Sequence, residues 1–300
     1  MKISIISPSS PLTEEQVPLA KEAINYLASL EHEVNYQRSL FDLEIKAPEE
    51  RAAQFMEEYV SEDNDLLLAS RGGSSAIEIL DLLDYEKLYS AKIKPVLGYS
   101  DLTTISLALN AYAQKNSLKP IPFYHSPMLF EFANWQKNRE EKPKVDYLIT
   151  GKSFETNLRG LKDKIENSDF NLERSDFAIE LASTLSIRKS CVLEDHSIPI
   201  LGGNLSIICS LIGTDYLPSF KDSVLFIEEC NEPVYKIERM LWQMHYAGVF
   251  KGIKEFWVGA GSEADMPNEL ISKFSSMYGF RTISDLPIGH GDLNFITKLF

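Results

Sequence analysis

A serine at the end of a short apolar run is the residue in this chain best placed for nucleophilic chemistry. Pro95, Val96 and Leu97 lead into Gly98-Tyr99-Ser100-Asp101-Leu102, and an amphipathic stretch follows over residues 103–113. That pattern predicts strand, tight turn, helix. A serine in such a turn projects its hydroxyl into the crevice at the strand's carboxyl end. The helix N-terminus beside it offers N–H groups that can stabilise a developing oxyanion. The turn is not the glycine-flanked nucleophile elbow, because Leu102 stands where that motif has glycine. Ser100, Asp101 and Thr103 are also good N-cap residues, so a plain helix cap is the competing reading.

A nucleophilic serine needs a base with a pKa near neutrality and an acid to orient it. Val224-Leu225-Phe226-Ile227 runs directly into Glu228-Glu229, which predicts a strand ending in carboxylates. Pro287-Ile288-Gly289-His290-Gly291-Asp292 sets one of the five histidines between two glycines in a loop, where close approach is easy. Ser100, Glu228 and His290 would form a serine–glutamate–histidine constellation, with the serine on one domain and its partners on the other. Arg71-Gly72-Gly73 follows another apolar run and opens a helix. It lacks the Gly-Lys-Ser/Thr of a phosphate loop, and serves an oxyanion hole only if it faces Ser100. Gly259-Ala260-Gly261-Ser262-Glu263-Ala264 mimics a dinucleotide fingerprint, but Glu263 and Asp265 would repel a pyrophosphate and Pro267 starts the next helix too late.

These residues need a frame. Strand signals at 3–6, 33–36, 66–70, 94–98 and 121–124 alternate with helical ones at 13–30, 48–61 and 76–83, which implies βαβ units and a mostly parallel sheet. In such sheets ligands sit at the carboxyl ends of strands. Residues 134–171 are rich in Lys, Glu, Asn and Asp and read as a linker or excursion. Beyond it, strands are expected at 190–193, 224–227 and 255–258, and helices at 205–212, 235–246 and 268–278. The expected fold is α/β: an N-terminal domain over residues 1–160 carrying the nucleophile, a C-terminal domain over 161–300 carrying acid and histidine, and an active site in the cleft between. The net charge of −14 opposes nucleic-acid and anionic-membrane binding. No signal peptide and no run of about 20 apolar residues is present, which fits a cytoplasmic protein. Cys191, Cys209 and Cys230 have no metal-type spacing, and their sparse, odd count suits a reducing compartment. Cys209, in an apolar run, is expected in the core.

The ensemble of short segments resembles one known family, the LD-carboxypeptidases, serine peptidases that include the microcin C immunity proteins. The matching segments are Ile6-Ser7-Pro8-Ser9-Ser10, Ala69-Ser70-Arg71-Gly72-Gly73, Leu97-Gly98-Tyr99-Ser100-Asp101-Leu102-Thr103, Leu201-Gly202-Gly203-Asn204-Leu205, Ile212-Gly213-Thr214-Asp215-Tyr216, Leu225-Phe226-Ile227-Glu228-Glu229, Ile237-Glu238-Arg239-Met240-Leu241 and Pro287-Ile288-Gly289-His290. They fall in the family's order across nearly the whole chain. The resemblance implies that Ser100 is the nucleophile, His290 the general base and Glu228 the acid that orients it, with Glu229 in place of the family's aspartate. It implies an oxyanion hole from the N–H of Asp101 and one from Gly72 or Gly73, and a substrate cleft lined by Asn204 and Arg71. It also implies a homodimer that needs no metal or organic cofactor.

The implied reaction releases terminal D-alanine from a muropeptide tetrapeptide during cell-wall recycling. The same chemistry on an aminoacyl-nucleotide or peptidyl-nucleotide amide is the alternative. There Trp135 would stack on the base, since Trp242 and Trp257 fall on a core-facing helix and strand. A non-catalytic peptide binder, with His290 far from Ser100, is the third reading. Three departures stand out. Ser74-Ser75 replaces the aromatic-glycine pair often found after Arg-Gly-Gly. His125-Ser126-Pro127 replaces a histidine- or tyrosine-glycine-proline. The chain also ends at Phe300, where members usually continue.

Overall fold

Short apolar runs become the central strands of two sheets. The computed structural model describes residues 1–133, 192–193, 198–259, 266–286, 288–290 and 296–299. In the first sheet β3 (Leu66–Ala69) is buried at every position and β1 (Lys2–Ile6) at four of five. Unbroken apolar sequence of this kind suits parallel strands covered on both faces. Beside them lie β2 (Glu33–Tyr36), β4 (Val96–Leu97), β5 (Phe123–His125), β6 (Val192–Leu193) and β11 (Ile296–Leu299), in the order β2-β1-β3-β4-β5-β11-β6. All neighbouring pairs are parallel except β5 with β11. The edge strand β2 is the polar, partly exposed one, as an unpaired edge requires. The second sheet is fully parallel, in the order β10-β9-β8-β7: β7 (Ile200–Asn204), β8 (Val224–Glu228), β9 (Glu255–Gly259) and β10 (Arg281–Leu286).

Among the described residues the α-helices are α1 (Gln16–Ser29), α2 (Pro48–Val60), α3 (Tyr85–Ser90), α4 (Thr103–Asn116), α5 (Leu205–Ser210), α6 (Val234–Ala247) and α7 (Asn268–Tyr278). Pro48 opens α2, followed by Glu49 and Glu50 in the first turn, where acids complement the helix dipole. Among the described residues no helix is long and apolar enough to cross a membrane.

Several sequence expectations change on contact with tertiary structure. The helix expected at 76–83 is a 3₁₀ segment (Ala76–Leu82), and α3 follows it, capped by the Asp84 carboxylate on the Lys87 N–H. The stretch over 103–113 is not amphipathic in its setting. Most of α4 is buried, because Ile105 and Leu109 pack into one hydrophobic core while Leu107 and Ala108 pack into the other. β7, β10 and β11 carried no recognised strand signal. The expected domain boundary at residue 160 lies outside the described residues. Sheet membership crosses it: β6 and β11, both from the second half of the chain, complete the sheet begun by β1.

Leu109 is 1% exposed on the helix that joins the two cores. Leu109→Ala is expected to cost about 2–5 kcal/mol. Urea unfolding would read this as a lower midpoint with an unchanged slope.

Candidate active site

The turn after β4 is strained at one residue. Tyr99 is extended, and Ser100 follows with φ +59°, the left-handed region that non-glycine residues rarely enter. Such a residue costs of order 1–3 kcal/mol and persists only where its surroundings hold it. Ser100, Asp101 and Leu102 form a single 3₁₀ turn that runs straight into α4. The loop after β3 closes on this turn from the side. A Cβ on Gly72 would lie 3.0 Å from Ser100 Cβ, 3.2 Å from Ser100 Oγ and 3.5 Å from the Asp101 nitrogen. A side chain at Gly72 would crowd Ser100, so the Arg71-Gly72-Gly73 loop does face the serine. The Asp101 carboxylate is committed elsewhere: it accepts from Ser9 Oγ at 2.5 Å and from the Ala76 N–H at 2.8 Å. What Asp101 has to offer a substrate is its backbone N–H.

The second sheet supplies the acid and the histidine. β8 ends at Glu228, which is fully buried, and His290 Nδ1 donates to Glu228 Oε2 at 2.6 Å. Burial opposes the charge on Glu228, but the hydrogen bond and the charge of His290 outweigh it and hold the carboxyl below its usual range. Burial likewise disfavours the imidazolium. The adjacent Cys230 and Glu228 favour it more, so the His290 pKa lies above that of an ordinary histidine. The His290 ring packs on Tyr99, centroids 4.7 Å apart, and Tyr99 precedes Ser100 in the chain. Tyr99 is fixed in turn by its hydroxyl, which donates to Glu131 Oε1 at 3.1 Å. Burial raises the Glu131 pKa to about 7. His125 also packs against Tyr99, ring centroids 5.3 Å apart, and burial lowers its pKa to about 4. Ser100 Oγ makes no hydrogen bond to another described side chain. Its link to His290 runs through the Tyr99 ring.

Asn204 and Arg71, expected to line the cleft, are both engaged within the protein. Asn204 caps α5 by accepting from the Ile207 N–H at 3.3 Å, and its amide donates to Glu229 Oε1 at 3.1 Å. Its backbone N–H donates to Thr103 Oγ1 at 3.1 Å, which ties β7 to the first turn of α4. Arg71 donates to the Pro11 carbonyl at 3.0 Å, and burial lowers its pKa. Trp135 lies outside the described residues, as do Cys191 and residues 260–265 of the fingerprint-like segment. Cys209 and Trp257 are buried, as expected.

One site residue was misread in the sequence. Gly259, taken only as part of a discounted fingerprint, ends β9 directly beneath the histidine loop. A Cβ there would fall 2.2 Å from the Ile288 carbonyl oxygen and 3.0 Å from Glu228 Cβ. Its bare backbone is what lets the 288–290 segment come down far enough for His290 to reach Glu228. The signal available was a glycine at the carboxyl end of a buried strand, which marks close backbone approach.

Comparison with known proteins decides the family. The LD-carboxypeptidase N-terminal domain matches residues 3–119, and the LD-carboxypeptidase C-terminal domain matches residues 199–299. The chain belongs to the LD-carboxypeptidase family. A putative carboxypeptidase of Streptomyces coelicolor is 22% identical over 298 residues, covering 96% of this chain and 85% of that protein. The murein tetrapeptide carboxypeptidase of Pseudomonas aeruginosa is 25% identical over 250 residues, covering 75% and 66%. Among solved structures, the muramoyltetrapeptide carboxypeptidase of Oxalobacter formigenes superposes with a TM-score of 0.67 at 22% identity, covering all of this chain and 92% of that one. The microcin C7 self immunity protein MccF in complex with aspartyl sulfamoyl adenosine superposes with a TM-score of 0.69 at 16% identity, covering 99% and 90%. The fold of this LD-carboxypeptidase relative is therefore that of both groups.

Gly259→Ala is expected to displace the Ile288 carbonyl and with it His290. Hydrolysis should fall at least about tenfold, the cost of a small misplacement of a catalytic group, while far-ultraviolet circular dichroism stays unchanged. Full activity in this variant would remove Gly259 from the site.

Proposed function

We propose that this protein is a serine LD-carboxypeptidase that releases the terminal D-amino acid from a muropeptide tetrapeptide. The observation that carries this reading is the buried Glu228–His290 pair beside a strained Ser100 turn that Gly72 closes on. Ser100 Oγ attacks the scissile carbonyl carbon while His290 takes its proton. Glu228 holds the ring through Nδ1 and balances the imidazolium charge. The carbonyl oxygen becomes an oxyanion that accepts from the Asp101 N–H and from the Gly72-Gly73 turn. Collapse expels the D-amino acid, whose nitrogen takes the proton from His290. Water then hydrolyses the acyl-enzyme with His290 again as base. Contacts between nucleophile and base commonly tighten only with substrate, so the open Ser100 hydroxyl is compatible with this role.

The test is mass spectrometry of protein incubated with L-Ala-D-γ-Glu-diaminopimelate-D-Ala and with its lysine counterpart. Loss of D-alanine with wild type and not with Ser100→Ala is the expected result. Turnover retained in Ser100→Ala would break the mechanism. If neither peptide is cut, an aminoacyl sulfamoyl nucleotide becomes the substrate to try, since a ligand of that kind sits on the MccF neighbour.

The pH profile follows from the pair. His290 must lose its proton before it can take one from Ser100. Its raised pKa places the rising limb of kcat/KM above about pH 6.5, the value of an unperturbed histidine. Glu228→Gln removes the charge that holds this proton. The limb should then move to lower pH, while the maximal rate falls by about 10²–10⁴-fold. A limb that stays in place would separate Glu228 from the chemistry.

A further inference from the structure

Two buried residues of opposite charge bridge the same two loops. Arg51, on α2, is 3% exposed, and Asp101, next to Ser100, is 2% exposed. Arg51 Nη1 donates to the Pro8 carbonyl at 2.8 Å and to the Ser75 carbonyl at 2.9 Å. Asp101 Oδ2 accepts from Ser9 Oγ at 2.5 Å and from the Ala76 N–H at 2.8 Å. The cation thus takes residues 8 and 75, and the anion takes their successors, 9 and 76. The remaining Arg51 contacts fix the guanidinium: Nε donates to the Lys46 carbonyl at 3.1 Å and Nη2 pairs with Glu78. Four of its five N–H donors are used, three of them on backbone carbonyls, a fork that lysine cannot reproduce.

What lies between the two clamped segments is the glycine turn. Gly73 packs so tightly on the first loop that a Cβ would fall 2.0 Å from Ser10 Oγ, and Gly72 lies against Ser100. We infer that Arg51 is a positioning residue for the oxyanion hole, acting with Asp101 to hold the Pro8-Ser9 and Ser75-Ala76 segments and so the Gly72-Gly73 N–H groups against Ser100. The inference rests on the proposed serine mechanism. Arg51 acts only through these loops, whereas Asp101 also lends its backbone N–H to the proposed oxyanion hole. The contribution of the clasp is to the transition state, because oxyanion donors act only where their geometry is fixed before charge develops.

The test uses Arg51→Lys and Arg51→Gln in the full chain. Lys94→Met, a buried cation on the far side of α2 that donates to the Tyr59 carbonyl, is the stability control. Two readouts are taken at a temperature where all variants are folded by circular dichroism: kcat and KM for D-alanine release, and the rate at which a fluorophosphonate labels Ser100. Both Arg51 variants should lower kcat and the labelling rate together by about 10²-fold, the size of a lost oxyanion donor. KM should stay within about threefold, and Lys→Met at 94 should leave all three values near wild type. Wild-type kcat and labelling in Arg51→Gln would overturn the inference, as would an equal loss in Lys94→Met of matched melting temperature. If wild type is labelled but cuts no muropeptide, the substrate assignment fails and labelling alone decides the role of Arg51. If wild-type Ser100 is not labelled, mechanism and inference fall together.

Discussion

A carboxylate with no exposed surface dominates the design of this site. Taking a charge out of water costs several kcal/mol even after the protein relaxes, and the cost is tolerated only where a good partner is held in place. For Glu228 the partner is His290, which arrives from a loop 62 residues further along the chain. Several features follow from that one contact. β8 must end at Glu228, β9 must end in a residue with no side chain, and the Ile288 carbonyl must pass over it. The Tyr99 ring then backs the imidazole from the first sheet. Loss of the His290 contact would leave a buried anion without its main partner, so the geometry of the candidate site and its local stability rest on the same atoms.

Ser100 presents the complementary problem, strain in place of desolvation. It occupies a backbone region it would not choose, and the turn holds because both of its flanks are anchored. On one flank α4 drives apolar residues into both cores. The Asn204 N–H, from the second sheet, donates to Thr103 in the first turn of that helix. On the other flank the loops after β1 and β3 lock onto Asp101 and Arg51. The Asn204–Thr103 bond also ties the end of β7 to the helix that Ser100 opens, and β7 pairs with β8 so that Asn204 lies opposite Glu228. Serine and acid are therefore set by one short path of hydrogen bonds, although they belong to different sheets.

The parts of this arrangement that could be read in the sequence share a cause. Runs such as Leu66–Ala69 and Val224–Glu228 announce themselves because a strand buried on both faces must be apolar throughout, and polar residues at their ends then stand out. The positions of Ser100 after β4 and Glu228 at the end of β8 were legible for that reason. β7 was not, because Gly202 and Gly203 interrupt its pattern, and β11 was not, because four residues carry too little periodicity. Arg51 sits in Pro-Glu-Glu-Arg, which looks like a solvated helix start. Only the fold reveals two loop carbonyls beneath it. Gly259 was visible and misassigned, since sequence shows that a backbone needs room but not what will occupy it.

Glu228 and Glu229 show how little residue type alone decides. They are consecutive, and both are buried. β8 ends at Glu228, and Glu229 is the first residue past the strand. Glu228 meets a histidine and is held ionised. Glu229 instead accepts from Asn204, from the Ser206 N–H at the start of α5 and from the Cys230 N–H. Burial raises its pKa despite those bonds. Among the described residues it has dipoles but no cation for partners, and it lies beside a second negative charge. The two carboxylates thus divide the work at the end of β8. One carries charge for the imidazole, and the other organises the helix start and Asn204, whose backbone reaches the helix that follows Ser100. Paired acids at the end of a strand can therefore bind an imidazole at one position and cap a helix at the next, with the partner of each deciding which.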